Sequence, residues 1–235
     1  MVRRLLMIGF LLAVTTQGIS AQAVAHLNLV LALDVSASVN DQEFELQRTG
    51  IALALRDDDV QAAILQAPGG VNIAIVQWAS IRHQRVALDW RHLDEKGDID
   101  ALADSVAAMP RALEGGGTMI HAGLDFAADM LRDAPMPAAR QVIDLSGNGL
   151  ADDVAALDAA RQRLVENGIV INGLAIEEDP PYGITEHFRE HLIGGPGAFV
   201  ITAQDFPDFA RAIRLKFLRE IGISVAALSL QDPGD

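Results

Sequence analysis

The chain has 235 residues, half of them hydrophobic but only 5% aromatic, a formal charge of −14 and no cysteine. That length fits one large α/β domain or at most two small ones, and a core filled by Leu, Ile, Val and Ala suits a sheet covered by helices. The acidic balance disfavours nucleic acid and anionic membrane as partners. Without disulfides, an exported chain must be stable through its core alone.

The first residues have the pattern of an export signal. Arg3 and Arg4 precede an apolar run over residues 5–14, and Ala21-Gln22-Ala23 is a small-x-small cleavage site. The run is shorter than the ~20 residues that span a bilayer. The expectation is a signal peptide over residues 1–23, a mature domain over 24–222 in the periplasm or outside the cell, and a flexible tail over 223–235. No Cys follows the apolar run to carry a lipid anchor, and no membrane span is expected in the mature chain. Loss of Arg3 and Arg4 takes the formal charge from −14 to −16, because the segment has no acidic residue.

Strand-like and helix-like segments then alternate. Residues 26–33 read as an apolar strand. Residues 40–56 read as a helix, with Asn40 as N-cap, Glu43 as its capping-box partner, and Phe44, Ile51 and Leu55 on one face. No element is assigned between Arg56 and Val71. Residues 71–79 (VNIAIVQWA) read as a buried strand and 85–90 as a second one, and their short connection requires an antiparallel pair. A helix over 99–109 ends at Pro110. Gly115-Gly116-Gly117-Thr118 leads into a helix over 119–132 whose inner face is Ile120, Leu124, Ala127 and Leu131. A strand over 141–145, a helix over 152–166 closed by Asn167-Gly168, and a strand over 169–176 follow. A short helix over 184–192, a short strand over 198–202 and a helix over 205–221 complete the domain. This order predicts a doubly wound, mainly parallel α/β sheet of about six strands, with one antiparallel edge strand and helices on both faces.

Three loops meet the C-terminal ends of the predicted central strands, where open α/β sheets bind ligands. The first offers Asp34, Ser36 and Ser38. The second offers Thr118 as its helix begins. The third offers Ser146 and Asn148, with Asp152 and Asp153 nearby. Oxygen donors with no Cys and no obligatory His suit a hard cation, Mg²⁺ before Mn²⁺ or Ca²⁺. Taken singly, each piece also reads as an ordinary turn, loop or capping residue; their order on these elements favours a site.

LVLALDVSASVND resembles the first strand and loop of von Willebrand factor type A (VWA) domains, which carry a metal-ion-dependent adhesion site (MIDAS). That pattern is Asp-x-Ser-x-Ser, a Thr in a Gly-rich loop, and an Asp after the fourth strand. Asp34, Ser36 and Ser38 match its first part, GGGTMIHAGL with Thr118 its second, and VIDLSGNG its third. The resemblance covers residues 27–221. The SGxG loop and IGGPGAFV also resemble an uncharacterised bacterial family of secreted VWA-like proteins. One position departs: Asn148 stands where the pattern has Asp, so the site has one charge fewer, which Asp152 or Asp153 could compensate. Asp144, inside its strand, reads as a structural group or a support behind the site rather than as a ligand. The resemblance implies a non-catalytic module that binds a protein partner, with an Asp or Glu carboxylate of the partner taking the open position of the cation.

Other chemistries have weaker footing. His187-Phe188-Arg189-Glu190-His191 fits the H-x-x-E-H motif of zinc peptidases, but it needs a third ligand among the 44 residues after His191, where Glu220 is the main carboxylate. A phosphoryl-transfer site would want a second acid at position 36, which is Ser. No G-x-G-x-x-G follows the first strand, and Ser146 lies in L-S-G-N-G rather than a G-x-S-x-G elbow. A VWA-like scaffold with a degenerate, metal-free site is the other alternative. His26, His83, His92 and His121 are scattered, with His121 bordering the Thr118 loop.

Overall fold

The computed structural model describes residues 24–177 and 182–222. The expected signal peptide and the tail beyond residue 222 lie outside them. The described residues hold six strands: β1 (Ala25–Asp34), β2 (Val71–Trp78), β3 (Gln84–Leu93), β4 (Ala138–Gly147), β5 (Ile169–Ile176) and β6 (Val200–Ala203). They form one sheet in the order β3-β2-β1-β4-β5-β6, all parallel except β3, which pairs antiparallel with β2. The strand pattern follows from burial. Nine of the ten residues of β1 and all eight of β2 and β5 are buried, as continuous apolar strands covered on both faces must be. β3 exposes the charged side chains of Arg85, Asp89 and Arg91, which suits a sheet edge.

Among the described residues, seven α-helices cover the sheet: α1 (Asp41–Leu55), α2 (Asp58–Gln66), α3 (Lys96–Ala107), α4 (Ile120–Arg132), α5 (Val154–Glu166), α6 (Ile184–His187) and α7 (Phe209–Ile221). Helices α1, α2, α3 and α7 pack one core with Leu27, Leu29, Leu31 and Leu33 of β1. Helices α4, α5 and α6 pack the other with Val30 and Ala32. Successive β1 side chains therefore point to opposite layers, as strand geometry requires.

The Asn40 capping box forms as expected: the Asn40 side chain accepts from the Glu43 amide, and the Glu43 carboxylate accepts from the Asn40 amide. Helix α2 was not expected. Asp57 caps it by accepting from the amides of Asp59 and Val60, and Val60, Ala63 and Ile64 are its buried stripe. Its nine residues are fewer than the stretch over which a helical period stands out. Arg214 of α7 then clamps its start, at 2.7 Å from Asp57 and 2.6 Å from Asp59.

The short helix expected over 184–192 is really two elements. After α6 the chain widens into a π-helical turn, Phe188–Leu192. The strand expected at 198 begins at Val200, and the last helix begins at Phe209 rather than 205.

A charged cluster sits inside the α7 layer. Lys216 and Asp144, 1% and 3% exposed, form an ion pair. Glu220, fully buried, pairs with Arg140 and accepts from Asn172. Burial pushes the Asp144 carboxyl up and Lys216 opposes it, so Asp144 belongs to the packing of α7 on β4. Lys216→Met leaves a buried carboxylate without its cation and should cost about 3–5 kcal/mol of stability, read as a lower urea midpoint. A change below 1 kcal/mol would contradict this role.

Candidate functional site

The strand order reverses direction about β1, with β2 and later β3 on one side and β4 to β6 on the other. The crevice at the C-terminal ends of β1 and β4 is thus a topological switch point. It is lined by the β1–α1 loop (35–40), the loop before α4 (108–119) and the β4–α5 loop (148–153).

Asp34, the last residue of β1, is fully buried. Its Oδ1 accepts from the Ser36 amide at 2.8 Å, and its Oδ2 is buried with no hydrogen-bond partner among the described residues. Burial pushes the carboxyl up from 3.8 to about 6, against opposing pulls from the Ser36 side chain and amide, the Asn148 amide and the Arg111 charge. A buried carboxylate oxygen without a donor is costly, so this atom marks a place where a positive group would be stabilising. Gly147 gives it room, since a Cβ there would lie 3.0 Å from Asp34 Oδ2.

Ser36 is buried and Ser38 exposed, and their hydroxyls lie 3.0 Å apart. Ser38 Oγ donates to Asn148 Oδ1 at 2.8 Å. Asn148 is 7% exposed. The first and third loops therefore meet through side chains separated by 110 positions in the chain. Thr118 closes the third side: a Cβ on Gly149 would lie 3.2 Å from Thr118 Oγ1. The Thr118 amide donates to Asp152 Oδ2 at 2.7 Å, and the Asp152 amide returns a bond to the Thr118 carbonyl at 3.2 Å. Asp152 thus engages the glycine loop through its backbone, while Asp153 caps α5 by accepting from the Ala156 amide. Ser146, at the end of β4, points its hydroxyl to Gln47 Oε1 at 3.4 Å. His121 sits in the first turn of α4.

The glycine loop is strapped to both neighbours. The Ala37 amide donates to the Gly116 carbonyl at 3.0 Å, and the Gly117 amide to Ser80 Oγ at 2.7 Å. Gly116 has φ +115 and would drive a Cβ into Ser80 Oγ, so glycine is required there.

Three supporting residues were missed in the sequence. Gln47 of α1 donates to the Asp34 carbonyl at 3.2 Å while accepting from Ser146. Its signal was available: it interrupts the apolar stripe Phe44, Ile51, Leu55 at helical spacing. Gln77, a polar residue inside the apolar β2 run, donates to the Pro110 carbonyl and accepts from the Ala112 amide at 2.7 Å. Arg111 fills the concave side of the first loop, donating to the Val35 and Val39 carbonyls at 3.2 and 2.7 Å and pairing with Asp41 at 3.0 Å. Nothing in the local sequence marks Arg111. Arg111→Met keeps its stem but strands the two carbonyls; a loss of about 1.5–3 kcal/mol is expected, measured by urea unfolding. An unchanged midpoint would show the guanidinium is dispensable.

The H-x-x-E-H residues do not converge with Glu220. His187, Glu190 and His191 lie in the α4/α5 layer beside Phe188 and Leu192, whereas Glu220 is on α7 in the opposite layer. His187 Nε2 accepts from the Ala151 amide at 3.0 Å, and His191 Nδ1 faces Asp158 at 3.2 Å. Among the described residues, no three His, Cys, Asp or Glu side chains are grouped as a metal site, and no helix is long and apolar enough to cross a membrane. The Asp34 crevice instead sets one carboxylate beside hydroxyls and an amide.

Comparison with known proteins fits this arrangement. No curated protein matches the sequence. Among solved structures, the pilus adhesin SpaC from Lactobacillus rhamnosus GG superposes with a TM-score of 0.63 at 15% identity, over 85% of this chain and 31% of that one. A von Willebrand factor type A protein from Catenulispora acidiphila gives 0.60 at 17% identity, over 84% of this chain and 43% of that one. Proximal thread matrix protein 1 from the mussel byssus, solved with a zinc-occupied MIDAS motif, gives 0.55 at 17% identity, over 83% and 47%. The chain spans less than half the length of each of these. At such identities the likeness establishes the fold, that of a VWA domain. A family described as "Protein of unknown function (DUF1194)" matches residues 23–225, and the chain belongs to that family.

Proposed function

We propose that the chain is an exported, non-catalytic binding module that engages a protein partner through a divalent cation at the Asp34 crevice. Asp34, Ser36, Ser38, Thr118 and Asn148 would hold the cation, Mg²⁺ before Mn²⁺ or Ca²⁺. The observation that carries this reading is Asp34 Oδ2, an acceptor buried without a donor at the switch point of the sheet. The other candidate donors are uncharged oxygens, a set that suits hard cations. A bound cation would supply a positive centre with a position open to an Asp or Glu carboxylate from outside.

The role of this chain's own residues follows from their placement. Ser36 fixes Asp34 through its amide, Ser38 links the first loop to Asn148, and Asp152 fixes the Thr118 loop. The crevice is therefore held by loop-to-loop contacts rather than by a flexible lid. The VWA fold shared with an adhesin and a matrix protein supports a binding role, and the cleavable-looking leader supports export. With a chain as acidic as this one, attraction to an acidic partner must be local and cation-dependent.

The test is co-purification of the tagged protein from the exported fraction, with and without chelator. A partner that is retained with Mg²⁺ and lost with chelator supports the reading. A partner retained equally in both arms overturns the cation's role in binding.

A further inference from the structure

The histidine motif that does not build a zinc site has another use. Ala151 lies in the middle of the β4–α5 loop, and the residues on either side of it make the site. Asn148 receives the Ser38 hydroxyl, Gly149 lies against Thr118, and Asp152 holds the Thr118 amide. The Ala151 amide itself donates to His187 Nε2 at 3.0 Å. A backbone amide has only a proton to offer, so Nε2 must be unprotonated and His187 a neutral imidazole with its proton on Nδ1.

The base of this contact is firmly seated. His187 ends α6, and the π turn that follows presses Phe188 and Leu192 onto β5 at Gly173, where a Cβ would lie 2.8 Å from Phe188 Cδ2. Single π turns are recurrent at functional sites.

We propose that His187 is a positioning residue of the cation site: its neutral ring latches the β4–α5 loop through Ala151 and so holds Asn148 and Asp152 in register with Ser38 and Thr118. This rests on the binding function proposed above. Protonation of His187 would set an N–H against the Ala151 N–H, so the latch closes only on the neutral ring. The groups facing that ring are His191 of the π turn, Asp158 of α5 and Glu190; the two acids favour protonation. Burial and then His191 oppose them, and the net effect holds His187 below its ordinary 6.5, which keeps the latch closed at neutral pH. His191 has its own acid, with Asp158 at 3.2 Å.

Cation binding and latch closure must then be linked: whatever favours the ordered loop disfavours a proton on His187. The experiment is ¹⁵N-detected histidine NMR on the mature protein from pH 5 to 8, cation-free and with saturating Mg²⁺, beside Mg²⁺ titrations of His187→Gln and His187→Leu at pH 7.5. The expected result is an Nδ1–H tautomer titrating below 6.5 and lower still with Mg²⁺. His187→Leu should bind Mg²⁺ about 10-fold more weakly, the lower end of what losing a supporting residue costs. His187→Gln, which keeps an acceptor, should recover most of that loss. An Nε2–H tautomer, or an Mg²⁺-binding protein whose His187 titration is unmoved by Mg²⁺, overturns the latch and leaves the cation site standing. A correct tautomer in a protein that binds no Mg²⁺ overturns the binding function and the linkage with it.

Discussion

Asp34→Asn should abolish the gain in melting temperature on adding Mg²⁺ or Mn²⁺ without lowering the melting temperature of the cation-free protein at pH 7.5. The buried Asp34 carboxyl is raised from 3.8 to about 6. A group raised on folding contributes stability that is complete below its unfolded pKa and is lost as pH climbs through its folded pKa. From about pH 4 to 6 the cation-free protein should therefore lose stability from this group as pH rises. Two units at ~1.36 kcal/mol each make the loss of order 3 kcal/mol. In a domain of this size that is about 6–12 °C. Asparagine keeps an acceptor for the Ser36 amide and removes the charge, although its amide nitrogen then needs a partner, which offsets part of the gain. The variant should show a flatter stability profile between pH 4 and 6. In the parent, the Mg²⁺-induced gain should be larger at pH 7.5 than at pH 5, because protons and cations compete for the same carboxylate. Thermal melts over a pH series with and without Mg²⁺ check all of this. A variant that melts 10 °C lower and keeps the parent's pH slope would mean that Asp34 acts only as a hydrogen-bonding turn residue.

Asn148→Asp should act in the opposite sense on the two states. Asn148 already sits where a ligand-supporting oxygen is wanted, accepting from Ser38 at 2.8 Å beside the buried Asp34. A carboxylate there adds negative charge to the same crevice. Cation affinity should rise about 10- to 100-fold, the range over which supporting groups tune metal sites. Without cation, the second carboxylate repels the first and pushes both carboxyls upward. The cation-free variant should then be less stable than the parent at pH 7.5 by about 1–2 kcal/mol, with a deficit that shrinks as pH falls. Calorimetric titration and urea unfolding of the same preparation separate the two effects. Equal affinity in parent and variant would place Asn148 outside the site.

The long apolar runs over β1, β2 and β5 and the Asn40–Glu43 capping box were legible because their causes are local. Alternation, burial on both faces and a reciprocal cap all act over a few residues. The short spacing between β2 and β3 likewise dictated an antiparallel pair. Helix α2 escaped because its nine residues, Asp58–Gln66, are fewer than the stretch over which a helical period is read, and Arg214 on distant α7 supplies part of its anchoring. The π turn escaped because FREHL differs little in pattern from an ordinary helix, and its wide hydrogen bonding is a tertiary outcome.

At the site, residue types could be read but not their supports. Asp34, Ser36 and Ser38 share one short loop, and a known pattern pointed to Thr118 and Asn148. Gln47 reaches Ser146 across 99 positions, and Arg111 reaches Val35 across 76. Such partners are set by the sheet order, which places the ends of β1 and β4 side by side. Histidines 187 and 191 show the reverse problem, since a local motif suggested a metal that their three-dimensional partners do not support. Their contacts are the Ala151 amide and Asp158.

The most direct test of the central claim is a Mn²⁺ titration of the mature protein at pH 7.5, followed by electron paramagnetic resonance and calorimetry, beside Asp34→Asn. The account predicts one Mn²⁺ bound per chain by the parent, displaced by Mg²⁺, and at least 100-fold weaker binding by the variant. No binding by the parent, or equal binding by both proteins, would contradict it.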